Sequence, residues 1–428
     1  MNCLKTALAA ATMLGSGAVG ALAQEAPTIA PPIEVDRWDG PYRSLQPLDQ
    51  AAGPVEAEGS VEGEYYLPSD PEAVMWGYLP NRTVEPVLTV PSGATVTVDT
   101  VSHEGVLEDQ GRDPSAYFAQ FGVPSEHVLS DAIAVAGSAI EHDFIEAGPH
   151  VVTGPIAVEG AEPGDVLMIE TLSIAPRVPY GVISNRHGKG ALPGEYPLGP
   201  EPDEDASADN PEAYRNVSIF TPLRYLRGQL YGVLNAGERG EVMFRATPFM
   251  GMMGVAADTD EPVHSVPPAE YGGNIDVKDL GAGSTLYLPV QVAGANFYTG
   301  DPHAAQGDGE VALTALELSA RTTFRLTVLK AGDPRLPMGG EMADPFGETD
   351  EFWIPVGLDP DLDEAMKNAV RTSIAFLTDR FGMDPQTAYA YLSAATDFAV
   401  SQVVDRTKGI HAKIRKSDFA DLIEASAD

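Results

Sequence analysis

The sequence predicts a mainly β protein, with a β-sandwich or jelly-roll-like body, α+β elaborations and a helical segment at the carboxyl end. Three observations carry that prediction. Short β-favouring runs bounded by Gly, Pro and Asp recur between residues 61 and 175 and again from 285 to 329. Within the second stretch, Thr322-Thr323-Phe324-Arg325-Leu326-Thr327-Val328-Leu329 alternates as a half-buried strand does. No regular succession of strand and helix, the mark of a doubly wound sheet, is visible anywhere.

The elements follow in chain order. Met1-Asn2-Cys3-Leu4-Lys5 carries one positive side chain, a small-residue apolar stretch covers 6–20, and Ala21-Leu22-Ala23 fits a cleavage site before Gln24. Residues 1–23 therefore read as a secretory signal peptide, and the mature protein as periplasmic or secreted. The apolar run is short of the roughly 20 residues a membrane span needs, so no membrane insertion of the mature form is expected. Residues 24–60, rich in Pro, Ala and Glu without periodicity, read as an extended leader. The β body then runs over 61–345. Its first strands are expected at 84–90 and 94–101, joined by the turn chemistry of Pro91-Ser92-Gly93, and at 150–159, broken by Gly154-Pro155. Residues 176–260 read as a loop-rich insertion with an acidic tract at 201–205.

Residues 346–428 read as a helical region packing on the body. Met366, Val370, Ile374, Leu377 and Phe381 share a helical face, and Gly382 is a stop signal. Asp384-Pro385 reads as a cap followed by a first-turn proline, opening a second helix whose face is Ala388, Leu392, Ala395, Ala399 and Val403. An apolar helix face left exposed would favour a homodimer.

Composition narrows the partners. Acidic residues outnumber basic ones 63 to 26, for a net charge of −37, and a field of that sign excludes nucleic acid and anionic lipid. The single cysteine, Cys3, lies inside the signal peptide, so the mature chain has no thiol and no disulfide. Amide cleavage by a cysteine nucleophile is thereby excluded, and no Gly-x-Ser-x-Gly elbow supports a serine nucleophile. A water nucleophile remains, and at neutral pH it needs a strong base or a metal ion.

The chemistry concentrates in two segments flanking the apolar run 284–292. One is Gly272-Gly273-Asn274-Ile275-Asp276; the other is Gly300-Asp301-Pro302-His303-Ala304-Ala305-Gln306-Gly307-Asp308-Gly309-Glu310. Asp, His, Gln and Glu within ten residues suit a hard-to-borderline metal; a Gly/Asp-rich turn would use the same residue types. Asp301 and His303, one residue apart, point to the same side of an extended segment and can reach one ion. Glu310 is a candidate further ligand, a candidate general base, or a cap on the Gly307-Asp308-Gly309 turn. Gln306 suits orienting a substrate amide better than binding a cation. Asp308 reads as a turn residue.

These segments resemble the acetamidase/formamidase family. So does the run from Gly148-Pro149-His150-Val151 to Pro163-Gly164-Asp165-Val166-Leu167 and, more weakly, Glu85-Pro86-Val87-Leu88-Thr89-Val90-Pro91-Ser92-Gly93. The matches keep their order and cover most of residues 76–330. Gln402-Val403-Val404-Asp405 and Gly409-Ile410-His411-Ala412 resemble the family's tail, where His411 reads as structural. The resemblance implies metal-dependent hydrolysis of a small linear amide such as formamide or acetamide to carboxylate and ammonia. It also implies that Asp276 joins Asp301 and His303 at the metal. Zinc is the expected ion, with Mn, Fe or an additional Ca as alternatives. Departures mark a divergent, exported branch. Val311-Ala312-Leu313-Thr314 stands where many members carry a Cys-Gly pair, and Ser102-His103-Glu104-Gly105 replaces a polar turn.

His103, directly after a predicted strand, is a candidate acid–base residue or ligand, and only one of His103 and Glu104 is expected to meet the metal. His150, opening the second matching motif, is a candidate ligand. The loop Ser184-Asn185-Arg186-His187-Gly188-Lys189-Gly190 gathers basic side chains that would cover a pocket or bind a product carboxylate. His127, His142 and His264 carry no motif signal. A larger amide, with 176–260 shaping the pocket, fits the same residues. So does a non-catalytic exported member that uses the cluster to hold a structural metal or a ligand.

Overall fold

Strands account for 36% of the residues and helices for 17% in a computed structural model that describes residues 44–339 and 342–425, which makes the protein mainly β as predicted. The predicted signal peptide and residues 24–43 of the predicted leader lie outside the described residues.

Two large, almost wholly antiparallel sheets form the body. The first has ten strands in the order Gly53–Pro54, Tyr65–Leu67, Ala94–Thr100, Ala320–Leu329, Val166–Pro176, Thr285–Pro289, Phe346–Glu348, Phe352–Asp359, Lys408–Arg415 and Asp397–Gln402. The second runs from the edge Glu241–Arg245 through Gln229–Asn235, Val217–Leu226, Tyr180–Asn185, Leu316–Glu317, Phe297–Ala305 and Phe249–Gly254 to Gly272–Asn274. Val151–Val158 pairs with its long strand Phe297–Ala305. Residues of both sheets share one core: Val96, Val98, Leu167, Phe324 and Leu326 from the first meet Val152, Ile156, Met250, Met252 and Phe297 from the second. Phe297 and Phe324 touch edge to face across it, with ring centroids 5.2 Å apart.

Several expectations need correction. Residues 44–60 belong to the body rather than to a free leader: the Leu45 amide donates to the Arg177 carbonyl at 2.8 Å, and Gly53–Pro54 adds a strand beside Tyr65–Leu67. Val151–Val158 runs unbroken through Gly154-Pro155, whose irregularity survives as a register shift against Phe297–Ala305. The stretch 176–260 is no loop-rich insertion, because five strands of the second sheet lie in it and only 186–216 is largely irregular. Ala320–Leu329 does not alternate cleanly; it lies mid-sheet, and Thr323 is buried on the far side against Thr97, with the two hydroxyls 2.8 Å apart.

The first helix stops and the second starts where the caps predicted. Leu362–Phe381 opens on Asp361, whose carboxylate accepts from the Asp363 and Glu364 amides, and ends at Gly382 with φ +64°. Pro385–Ala395 is capped by Asp384. Its predicted face runs too far, since Asp397–Gln402 is a strand that carries Ala399 and pairs with Lys408–Arg415. The fully buried stripe of the first helix is Ala365, Ala369, Ser373, Phe376 and Leu377, while Met366, Val370 and Ile374 are half-buried. Both helices are packed within the chain, the first against Phe352–Asp359 and Lys408–Arg415 and the second against the first, so they leave no bare face to argue for a partner. The residues from 346 onward thus extend the first sheet as well as adding helices. His411 sits in that extension and binds Ser401 Oγ at 2.8 Å, consistent with a structural role.

Candidate metal centre

The second sheet carries the site. Asp301 and His303 project from Phe297–Ala305 to the same side, and His303 Nε2 lies 2.9 Å from Asp301 Oδ2. Antiparallel pairing sets His303 opposite Glu317 on Leu316–Glu317, with His303 Nε2 3.2 Å from Glu317 Oε1. Asp276 follows Gly272–Asn274, and its amide donates to the Gly251 carbonyl at 3.1 Å. On the other side of Asp301, His103 follows Ala94–Thr100 and His150 precedes Val151–Val158. His103 Nδ1 and His150 Nε2 stand 3.5 and 3.8 Å from Asp301 Oδ1.

Gly251 is what lets these groups meet. A Cβ there would lie 2.6 Å from Asp276 Oδ1, 2.7 Å from His303 Cε1 and 2.8 Å from Asp301 Oδ2, all closer than van der Waals contact allows. Backbone strain gathers at the same place. Asp276, Asp301 and Glu310 adopt φ of +50°, +50° and +46°, the left-handed region that side chains other than glycine enter at a cost.

Four overlapping groups of donors result: His103–His150–Asp301, Asp276–Asp301–His303, His303–Glu310–Glu317 and Asp276–Glu310–Asp405. In each, one ligand atom per residue lies within 4.8 Å of the others, and all eight side chains are buried. Both carboxylate oxygens of Asp276, and one each of Asp301, Glu317 and Asp405, are buried without a hydrogen-bond donor, as are both ring nitrogens of His103. Unsatisfied buried oxygens at this density are costly unless protons or a cation meet them.

The electrostatics say the same. Burial and then the Asp405 charge push Asp276 well above the usual carboxylate range; burial and Asp276 do this to Glu310, and burial and Glu310 to Asp405. Glu317 is pushed up to about 7 by burial and then by Asp301. Burial opposes the charge of Asp301 too, but His303 and His150 outweigh it and hold that carboxyl well below its ordinary value. Burial likewise opposes a charged His103, yet Asp301 and Glu104 lift the ring to about 10. His150 goes down to about 4, chiefly by burial. An ion-sized positive charge would relieve the repelling carboxylates, and a mixed imidazole–carboxylate donor set suits zinc, manganese or iron. The residues present fit a metal.

Of the predicted residues, Asp276, Asp301, His303, His150, His103 and Glu310 come together. Gln306 is not among the residues lining the cavity above this cluster. Its Oε1 accepts from His303 Nδ1 at 3.0 Å and its amide donates to the carbonyls of Asp276 and Ser401, so it fixes the ring and the Asp276 backbone. This replaces the substrate-orienting role expected of it. Glu104 turns from Asp301 into a buried network, meeting Arg186 at 3.1 Å and Ser184 Oγ at 2.8 Å. Asp308 pairs with Lys278 outside the cluster. Sequence reasoning missed Glu317 and Asp405. An acid between Leu316 and Leu318 was the available signal for the first, and membership of the family-like tail for the second.

Six of the eight clustered side chains, His103, His150, Asp301, Glu310, Glu317 and Asp405, line a cavity of about 680 Å³. Phe144, Ile145, Pro149 and Tyr214 give it an apolar wall, while His187, Lys189, His264 and Arg406 line it with basic groups.

Comparison with known proteins agrees with this architecture. A profile of the acetamidase/formamidase family matches residues 252–413, a span that holds Asp276, Asp301, His303, Glu310, Glu317 and Asp405 but not His103 or His150. The chain is 29% identical over 235 residues to an acetamidase of Mycolicibacterium smegmatis, covering 43% of this chain and 54% of that one. It is 29% identical over 213 residues to a formamidase of Methylophilus methylotrophus, covering 43% and 52%. The chain thus spans about half the length of the curated relatives it matches. The crystal structure of an acetamidase from Bacillus halodurans superposes with a TM-score of 0.61 at 26% identity, over 83% of this chain and 99% of that one.

Proposed function

The chain belongs to the acetamidase/formamidase family, and on that footing we propose that it hydrolyses the C–N bond of an amide to a carboxylate and ammonia at a metal held by the buried cluster. The observation that carries this reading is the convergence of eight buried imidazole and carboxylate groups, six of which line one cavity. Three or four of His103, His150, Asp276, Asp301 and His303 would hold the ion, with zinc the best match to the donors. When bound, it would supply a Lewis acid for the amide oxygen and lower the pKa of water.

This chain's own residues do the rest. Asp301 bridges the two histidine sides, since one oxygen faces His103 and His150 and the other His303. Gln306 fixes the His303 ring through Nδ1, which leaves Nε2 toward Asp301 and Glu317. Glu310 lines the cavity and is buried beside Asp276 and Asp405, where its raised proton affinity fits it to take a proton from water and pass it to the departing nitrogen. Phe144 and Ile145 exclude solvent from one wall. The amino-terminal sequence supports placing this chemistry outside the cytoplasm.

The test is ammonia release from formamide and acetamide by the purified protein, stripped with chelator and reloaded with zinc. Turnover should disappear with the metal, return with it, and fall at least about 100-fold in Asp301→Asn. Turnover that survives complete metal removal would overturn the metal reading. A tightly bound ion with no hydrolysis of any amide would favour a binding protein built on the family fold.

A further inference from the structure

Formamide and acetamide are far smaller than a cavity of about 680 Å³, a volume typical of sites that take ligands of many more atoms. The upper part of that cavity is also unusual in charge. Acidic residues outnumber basic ones 63 to 26 in the chain, and most of the described cations are paired with an acid. Lys189 and Arg406 are not. Both line the cavity, both are exposed, and neither forms a salt bridge among the described residues.

They come from distant parts of the chain. Lys189 lies on the loop after Tyr180–Asn185, and Arg406 on the turn between Asp397–Gln402 and Lys408–Arg415, held there at φ +65°. Arg406 directly follows Asp405 of the metal cluster, so the basic wall adjoins the reacting end. His264 completes it. Its Nδ1 accepts from the Val266 amide at 3.1 Å, and the Glu146 backbone engages the other side of the ring. Asp203 on the same cavity wall is already taken up by Arg215.

We propose that this wall binds a carboxylate carried by the substrate itself, so that the amide hydrolysed is the mono-amide of a dicarboxylic acid rather than a neutral short amide. The inference rests on the hydrolytic reading and deepens it. Lys189 and Arg406 supply charge for the remote carboxylate, while the apolar wall of Phe144 and Ile145 accommodates the methylene spacer. Mutual repulsion supports this: burial and then the Arg406 charge lower the proton affinity of Lys189, and Arg406 and Lys189 together, after burial, bring His264 down to about 4. An anion would relieve that crowding. The balance of the reaction is simple: water adds across the C–N bond, ammonia leaves, and the second carboxylate is the product.

The experiment compares amides of equal length on the zinc-loaded enzyme: succinamate with butanamide, glutaramate with pentanamide, adipamate with hexanamide. For at least one pair, kcat/KM for the carboxylate-bearing amide should exceed that of its neutral partner by about tenfold at low salt. That ratio should fall severalfold in Lys189→Gln and Arg406→Gln and shrink as salt rises. A second measurement, calorimetric binding of the same amides to wild type and to the double variant, does not depend on turnover. Neutral amides hydrolysed as well as their anionic partners would overturn the inference and leave amide hydrolysis standing. Binding of the anionic amides that needs Lys189 and Arg406, without any turnover, would sustain the anion site and overturn hydrolysis. Equal binding by wild type and double variant would sink the inference on its own.

Discussion

Replacing Glu317 by Gln should stabilise the metal-stripped protein at neutral and alkaline pH, by an amount that follows from the charges around it. Glu317 is 1% exposed, with Asp301 nearby and His303 Nε2 at 3.2 Å. Burial first, and then the Asp301 charge, raise its carboxyl from 4.5 to about 7 despite the attraction of His303. One pKa unit is about 1.4 kcal/mol, so ionising Glu317 in the folded, metal-free site costs about 3 kcal/mol relative to the unfolded chain. The folded state holds this proton more tightly than the unfolded state. Stability therefore falls as pH rises from about 4.5, and the penalty is complete above about 7. Glutamine matches the shape of the protonated acid and never ionises.

Wild type and variant should accordingly unfold alike near pH 4 in the presence of chelator, and the variant should gain up to about 3 kcal/mol at pH 8. An unfolding entropy of about 2.1 cal/mol/K per residue makes that gain about 3 °C in Tm for a chain of 428 residues. Calorimetry in EDTA at the two pH values measures it. Zinc should reverse the order, because wild type gains binding energy that the variant, short of one carboxylate, gains less of. An unchanged or lower midpoint for chelated Glu317→Gln at pH 8 would refute the account, as would the same gain at both pH values.

Two further outcomes follow from the backbone around the cluster. Gly251→Ala should cut metal affinity and ammonia release at least about tenfold, because a methyl group 2.6–2.8 Å from Asp276, His303 and Asp301 must displace them; full metal content and activity in that variant would show that the close approach is unimportant. Glu310→Gly should be more stable to urea than Glu310→Ala by about 1 kcal/mol, since both lack the carboxylate but only glycine is at ease at φ +46°; coincident midpoints would remove the claim of strain.

What the sequence revealed and what it hid divide by the range of the interactions involved. The end of one helix and the start of the next were legible because caps are local: Asp384 binds amides two and three residues on, and Gly382 takes its left-handed turn whatever lies beyond. Asp301 and His303 were legible because a spacing of two in a strand fixes their common side. Glu317 was not, because it reaches His303 only through the pairing of Leu316–Glu317 with Phe297–Ala305, a register that neither segment announces alone. Asp405 was hidden by a false periodicity. Ala388, Leu392, Ala395, Ala399 and Val403 recur at helical spacing, but the helix stops at Ala395 and the rest alternate along a hairpin. The strands within 176–260 were hidden because apolar residues in them do not mark a buried face: Val217, Ile219, Val242 and Met243 are exposed.

The cluster is assembled against the stability of the fold, and its composition bears on what it is for. Three of its carboxylates sit on left-handed backbone, one glycine is kept bare to admit them, and five of its side chains repel one another or go without donors. A structural ion would account for part of this, since a closed site needs only about four ligands to be saturated. Eight buried ionisable side chains meet here in four overlapping groups. Whichever three or four hold a single ion, the others stay beside it with raised or lowered proton affinities, and six of the eight line a cavity that Lys189 and Arg406 also line. A site that only holds a metal does not need groups that exchange protons beside its ligands. The proposed hydrolysis would use them, because a proton must leave water and another must reach the departing nitrogen.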